Sequence, residues 1–137
     1  MSDLQNQMEQ QMSKAAEIAD RHGDLHPWHV AATAYRNGDG ADFNVFLTGL
    51  LHDSIEDGYA TDEELSVFPT EVRTAVHVLT RRDGERYWDY IERVKGAPEL
   101  AQKVKIADAS VNLDRCKDNP HYKGLAKRYH RVLEELA

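Results

Sequence analysis

Four ionisable side chains fall within six positions at His52-Asp53-Ser54-Ile55-Glu56-Asp57. A neutral imidazole offers a nitrogen lone pair, and a carboxylate offers hard oxygen with negative charge. His52 beside Asp53 is therefore a natural start for a divalent-metal site. Two ligands hold a metal poorly, so others must come from elsewhere in the chain. Three places offer them: His26, next to Pro27; Asp108, within the segment 104–113; and the pair Glu56 and Asp57. Asp108 lies one turn after Val104 and beside Ala107, so it borders an apolar face. A carboxylate there is costly to bury unless it is paired or binds a cation. Each residue also has an ordinary reading. His52 can close a helix, where its charge meets the dipole beside solvated acids. Asp108 can be a helix-surface acid, and Glu56 and Asp57 loop acids. His22 and His29 compete with His26 at four- and three-residue spacing, but the breaks at Gly23 and Pro27 argue against one shared face.

The elements that must position these groups read as helices throughout. Residues 3–22 carry Leu4, Met8, Gln11, Ala15, Ile18 and His22 at helical spacing, and Gly23 suits a left-handed C-terminal stop. Pro27 sits well in the first turn of a second helix over about 28–36. The segment 37–40, Asn-Gly-Asp-Gly, is a turn. Asp42 is a plausible N-cap, and Phe43, Phe46, Leu47, Leu50 and Leu51 share one inward face of the helix that delivers His52. The small residues Thr48 and Gly49 leave room for a second group to approach the imidazole, and Gly58 closes the segment. Thr61 and Glu64 resemble a capping box. Pro69 and Pro98 open further helices, with 85–95 between them. A break at 118–120 precedes a last helix over 122–136, with Leu125, Tyr129, Val132 and Leu136 facing in. No stretch alternates with period two over five residues. The expectation is an all-α, compact orthogonal bundle in one domain spanning 1–137.

Composition bounds the function. A chain of 137 residues with 41% hydrophobic and 30% charged side chains can bury one core. No apolar run approaches the ~20 residues of a membrane span. The first twenty residues lack an apolar signal region. With one cysteine, Cys116, the expectation is a cytoplasmic protein without an internal disulfide. Seventeen basic against 24 acidic residues, a net charge of −7, argue against a nucleic-acid polymer as partner. They leave open a small phosphorylated ligand, because a bound cation and a few local Lys or Arg reverse the field inside an acidic protein. Arg81, Arg82, Lys103 and Lys105 are ordinarily solvated, with one or two available to face phosphates. A homo-oligomer is compatible with this composition.

His26, His52-Asp53 and Asp108, in this order, resemble the H…HD…D signature of the HD-domain metal-dependent phosphohydrolases. The nearer resemblance is to the branch that hydrolyses the alarmones guanosine tetraphosphate (ppGpp) and pentaphosphate. Three segments carry it: His26-Pro27-Trp28-His29-Val30-Ala31, Leu50-Leu51-His52-Asp53-Ser54-Ile55-Glu56-Asp57, and Lys105-Ile106-Ala107-Asp108 followed by Asn112-Leu113. The stretch from Leu79-Thr80-Arg81-Arg82 to Tyr87-Trp88-Asp89-Tyr90-Ile91 is similar as well. Together they span roughly residues 14–115.

The resemblance implies the HD fold and one divalent metal held by His26, His52, Asp53 and Asp108. That metal is often manganese in the family, while mixed nitrogen and oxygen ligation leaves Fe, Co, Ni, Zn and Mg open. It also implies that Glu56 and Asp57 position or activate the attacking water. Asn112 would contact the nucleoside, with Lys105 and Arg81 as further substrate-binding groups. The implied activity is hydrolysis of a small phosphorylated nucleotide, first at a 3′-diphosphate. The alternatives are a nucleoside 5′-monophosphatase of the same superfamily and a non-catalytic nucleotide-binding module. The chain departs from the alarmone pattern in two places. Only Gly23, Asp24 and Leu25 separate His22 from His26, where the branch carries a longer segment with basic residues. Ala109, Ser110 and Val111 stand where it carries Arg and then Leu-His. Both departures remove groups expected around a guanine or its phosphates. They imply a relaxed base preference and a leaning toward smaller or less charged nucleotides.

Overall fold

The computed structural model describes residues 2–38, 42–117 and 119–137. Among these residues there is no strand, as the missing period-two pattern requires. Helix α1 (Asp3–Asp20) starts at Ser2, whose hydroxyl accepts from the Gln5 N–H at 3.1 Å. Its exit turn contains Gly23 at φ +76°. Helix α2 (His26–Asn37) has Pro27 in its first turn, where a missing N–H costs nothing. Helix α3 (Phe43–Leu51) is capped by Asp42, which accepts from the Asn44 N–H at 2.9 Å. Helix α4 (Asp62–Leu65) is capped by Thr61 through the Glu64 N–H. Helices α5 (Thr70–Val78) and α7 (Glu99–Cys116) follow Pro69 and Pro98, with α6 (Tyr87–Lys95) between them. A 3-10 turn (Pro120–Tyr122) leads into α8 (Lys123–Leu136). Of the expected turn at 37–40, Asp39 and Gly40 lie outside the described residues, as does Asp118 of the break at 118–120.

The apolar faces fill two adjoining cores. Ile18 of α1, Ala31 of α2, Leu47, Leu50 and Leu51 of α3, and Val72 and Val76 of α5 form one. Val30 and Ala34 of α2 meet Ile91, Val94, Val104, Ala107 and Val132 in the other. Helix α2 thus buries two faces and divides the bundle. Two expectations about inward faces change. Leu4 and Met8 are 66% and 39% exposed, because α1 has 18 residues and packs on α3, which has nine, so its first turns outrun their partner. Leu125 is also exposed. The buried residues of α8, Val132 and Leu136, lie nearer its C-terminal end.

The crossing of α2 and α3 depends on Gly49. A Cβ there would stand 2.5 Å from Ala31 Cα and 2.9 Å from Ala31 N. The space expected to serve a group approaching His52 is instead filled by the α2 main chain, which draws the two helices together. Alanine in place of Gly49 gains about 1 kcal/mol of helix propensity. It also forces apart two backbones that no rotamer change can separate, and overpacking of this kind costs typically 1–3 kcal/mol or more. Gly49→Ala is therefore expected to lower the urea unfolding midpoint, by about 2 kcal/mol in stability. Ala31→Gly should not rescue it, since the two shortest contacts are with main-chain atoms.

Candidate metal centre

Three helices deliver the site. His26 opens α2, its N–H held by the Asp24 carboxylate at 2.9 Å. His52 follows the last turn of α3, and Asp108 sits in the middle of α7. Asp108 Oδ1 stands 2.9 Å from His26 Nε2 and 3.5 Å from His52 Nε2, and the two rings lie 5.6 Å apart. One ligand atom from each of His26, His52 and Asp108 falls within a 4.8 Å set. Asp53 approaches the same imidazole, Oδ2 to His52 Nε2 at 3.1 Å. Atoms that share one cation at 2.0–2.2 Å lie about 3 Å apart when their bonds are near right angles. These spacings are of that size.

His52 is 2% exposed. Its Nδ1 lies 2.7 Å from the Gly49 carbonyl, which can only accept, so Nδ1 carries the proton. Its Nε2 is buried and makes no hydrogen bond, although two carboxylates stand beside it. A buried polar atom without a hydrogen bond is uncommon, and once its proton leaves, a nitrogen lone pair facing converged carboxylate oxygens suits a divalent cation. In the metal-free protein, burial opposes charge on His52. Asp53 and Asp108 outweigh it and hold the imidazole well above its ordinary pKa. Asp108 is 5% exposed. Burial pushes its pKa up, but Lys105 first and then the two imidazoles hold it well below the usual carboxylate range. Lys105 Nζ donates to Oδ2 at 3.1 Å, and Asn112 Nδ2 donates to Oδ1 at 3.1 Å.

The two acids past the His-Asp pair lie at the exposed rim. Glu56 Oε1 accepts from the Arg81 backbone N–H at 2.8 Å. Desolvation raises its pKa, aided by Asp53 and Asp57 and opposed by that hydrogen bond. Asp57 is raised by desolvation and by Asp53. Arg81 therefore meets the site through its main chain, while its guanidinium donates to the Glu85 carbonyl. His29 is exposed and stays out of the cluster.

One neighbour was not expected, and His22 takes a partner other than the metal cluster. Arg115 Nη1 lies 3.3 Å from His26 Nδ1. It follows Asp108 by seven residues and Asn112 by three, so helical periodicity alone places it on their face. His22 Nδ1 stands 3.7 Å from Asp57 Oδ2, its ring packed on Tyr59. Only the fold of the 52–58 turn makes that pair.

No protein-family model matches the chain. The chain is similar to the guanosine-3′,5′-bis(diphosphate) 3′-pyrophosphohydrolase MESH1 of Danio rerio, with 35% identity over 99 residues. The match takes in 66% of this chain and 55% of that enzyme, so the chain spans little more than half of its relative's length. This likeness bears out the resemblance carried by the motif segments. Among the described residues no helix is long and apolar enough to cross a membrane.

The geometry sets two expectations for metal uptake. Elemental analysis should find one bound divalent ion in the protein and none in Asp108→Ala; equal metal in both would remove Asp108 from the ligand set. Binding must also displace the His52 proton. The apparent affinity for Mn²⁺ should fall about tenfold for each pH unit below the His52 pKa, which lies well above the ordinary 6.5. An affinity independent of pH across the neutral range would exclude that proton.

Proposed function

We propose that this chain is an HD-type, metal-dependent phosphohydrolase acting on a small phosphorylated nucleotide, and first of all a 3′-pyrophosphohydrolase. The observation that carries the reading is the buried Nε2 of His52, which makes no hydrogen bond and faces the carboxylates of Asp53 and Asp108. The likeness to an alarmone pyrophosphohydrolase supports the substrate class. We assign His26, His52, Asp53 and Asp108 as ligands and manganese as the metal. When bound, such an ion supplies Lewis-acid polarisation of a phosphoryl oxygen and makes water a better nucleophile near neutral pH.

The remaining work falls to side chains. Glu56 takes the proton of the attacking water. One of its oxygens is fixed by the Arg81 N–H, which leaves the other free, and its raised pKa brings it nearer the working range of a general base. Asp57 orients the same water. Lys105 neutralises Asp108 and, with Arg81, borders the phosphate. Asn112 gives its amide N–H to Asp108 and keeps its carbonyl oxygen to accept from a sugar hydroxyl. A nucleoside 5′-monophosphatase is the second reading. Asp24, an acid, stands against the start of α2, in a segment too short to carry the basic residues of the alarmone branch. We read the protein as cytoplasmic, in keeping with its lone cysteine.

The test is phosphate and pyrophosphate release with Mn²⁺ across nucleotides phosphorylated at 3′, 5′ or both positions. A non-catalytic binding module would release neither. Glu56→Gln keeps its shape and hydrogen-bonding capacity but cannot take a proton near neutral pH. Its kcat should fall by roughly 10²-fold or more with metal content unchanged. Wild-type turnover in that variant would remove Glu56 from the chemistry.

A further inference from the structure

The two acids past the His-Asp pair are met by different parts of the chain. Glu56 accepts from the Arg81 N–H at 2.8 Å. Among the described residues the Asp57 carboxylate has one hydrogen-bonding or ion-pairing neighbour, His22 Nδ1, 3.7 Å from Oδ2. His22 stands in the exit turn of α1, its side chain 8% exposed against 46% for Asp57. Its ring packs on Tyr59, with 4.4 Å between centroids. The adjacent Arg21 donates to the Tyr59 carbonyl at 2.7 Å and to Glu64 at 3.0 Å. The end of α1 is thereby fastened to the chain just past the 52–58 turn, and the imidazole is wedged between them. A carboxylate can only accept, so the Nδ1 that faces Asp57 carries the proton. Nε2 is buried and makes no hydrogen bond, so a second proton there would have no acceptor. Burial holds the His22 pKa below its ordinary value, although Asp57, Asp53 and Asp24 favour the charge. The ring is therefore a neutral donor aimed at one oxygen, rather than half of an ion pair. Packing on Tyr59 does not explain it. A phenylalanine would pack there without burying a nitrogen that has no partner.

We propose that His22 is a positioning residue for the reaction: its Nδ1–H holds one oxygen of Asp57, so that the other oxygen is fixed on the attacking water. The proposal rests on the phosphohydrolase reading, in which Asp57 orients that water, and deepens it by naming what orients Asp57. A half-exposed carboxylate on a turn otherwise moves among several rotamers, and a water held in the wrong place reacts slowly. The 3.7 Å separation is longer than an ordinary N–H···O bond. Catalytic hydrogen bonds are often long in an unliganded site and tighten when the substrate is in place. Each acid then has its own anchor, Glu56 on the Arg81 main chain and Asp57 on the His22 ring. The imidazole itself touches neither metal ligand nor substrate and acts only through Asp57.

Two measurements test it. The first is steady-state hydrolysis of a 3′-phosphorylated nucleotide with Mn²⁺ by the full chain. His22→Phe keeps a ring against Tyr59 but removes the donor. Its kcat should fall roughly tenfold, with KM and metal content unchanged. His22→Asn returns an amide N–H near the place of Nδ1 and should recover most of the loss. In an Asp57→Asn background, His22→Phe should cost nothing further, because the two residues act as one unit. Wild-type kcat in His22→Phe, equal losses in the Phe and Asn variants, or a full additional loss in the Asp57→Asn background each overturn the role. The second is nitrogen NMR of the unsubstituted chain, which reads the His22 tautomer without relying on any variant to fold. The ring should carry its proton on Nδ1, and a proton on Nε2 instead overturns the contact. A chain that hydrolyses no nucleotide would sink the phosphohydrolase reading and the role of His22 with it. Hydrolysis that proceeds with a proton on Nε2 would sink the role of His22 alone.

Discussion

The bundle is organised round one buried carboxylate. Asp108 lies in the middle of α7, almost wholly out of water, where an isolated charge would be prohibitively costly. It remains ionised because cations and donors close on it from several directions: Lys105 on one oxygen, and His26, His52 and Asn112 about the other. Each partner sits on an element that packing must hold in place. Lys105 and Asn112 come from Asp108's own helix at three- and four-residue spacing. The imidazoles arrive from α2 and α3, and their positions depend on how closely those helices cross.

That crossing has little freedom. Gly49 lets α3 ride against the Ala31 backbone of α2, and the carbonyl of the same glycine accepts from the His52 Nδ1–H. One residue thus sets both the approach of the helices and the face that His52 presents to Asp108. Beyond His52 the chain is held by its own turn. The Ser54 carbonyl accepts from the Tyr59 and Ala60 N–H groups, and the Ser54 hydroxyl donates to the Leu51 carbonyl. Gly58 at φ +78° completes it. The turn carries Glu56 to the Arg81 N–H and Asp57 to His22, so a local loop becomes one wall of a site whose other walls are helices.

Charge is distributed unevenly across the molecule. Its acids outnumber its bases, yet Lys105 and Arg115 stand on α7 close to the cluster of His26 and Asp108. Much of the other basic charge is locally answered. Arg21 and Lys14 share Glu64, and Arg93 holds Glu85, whose pKa falls to about 2 chiefly through that bond. Arg115 and Arg128 have no carboxylate of their own among the described residues. They contact an imidazole and a tyrosine ring, and the imidazole stands 2.9 Å from Asp108.

Helical spacing, caps and prolines were legible in the chain because each is a local property. Asp42 and Thr61 cap as their types predict, Pro27 and Pro98 stand where helices begin, and no strand signal exists to compete. The order of His26, His52-Asp53 and Asp108 was legible too, as a pattern of residue types that resembles a known family. Local periodicity could even have named Arg115. The remaining features needed tertiary structure. His26 and Asp108 stand 82 positions apart, and only the packing of α2 against α7 brings them to 2.9 Å. The small side at Gly49 read as room for a second group to approach His52, yet a neighbouring backbone fills it. Arg128 comes to lie over the Tyr87 ring, a contact that nothing near it in sequence marks out. The chain encodes which face of each helix is apolar, and so which residues can be buried. Which polar groups meet at the seams is fixed by how closely the helices approach, and that depends on contacts between residues far apart in the chain.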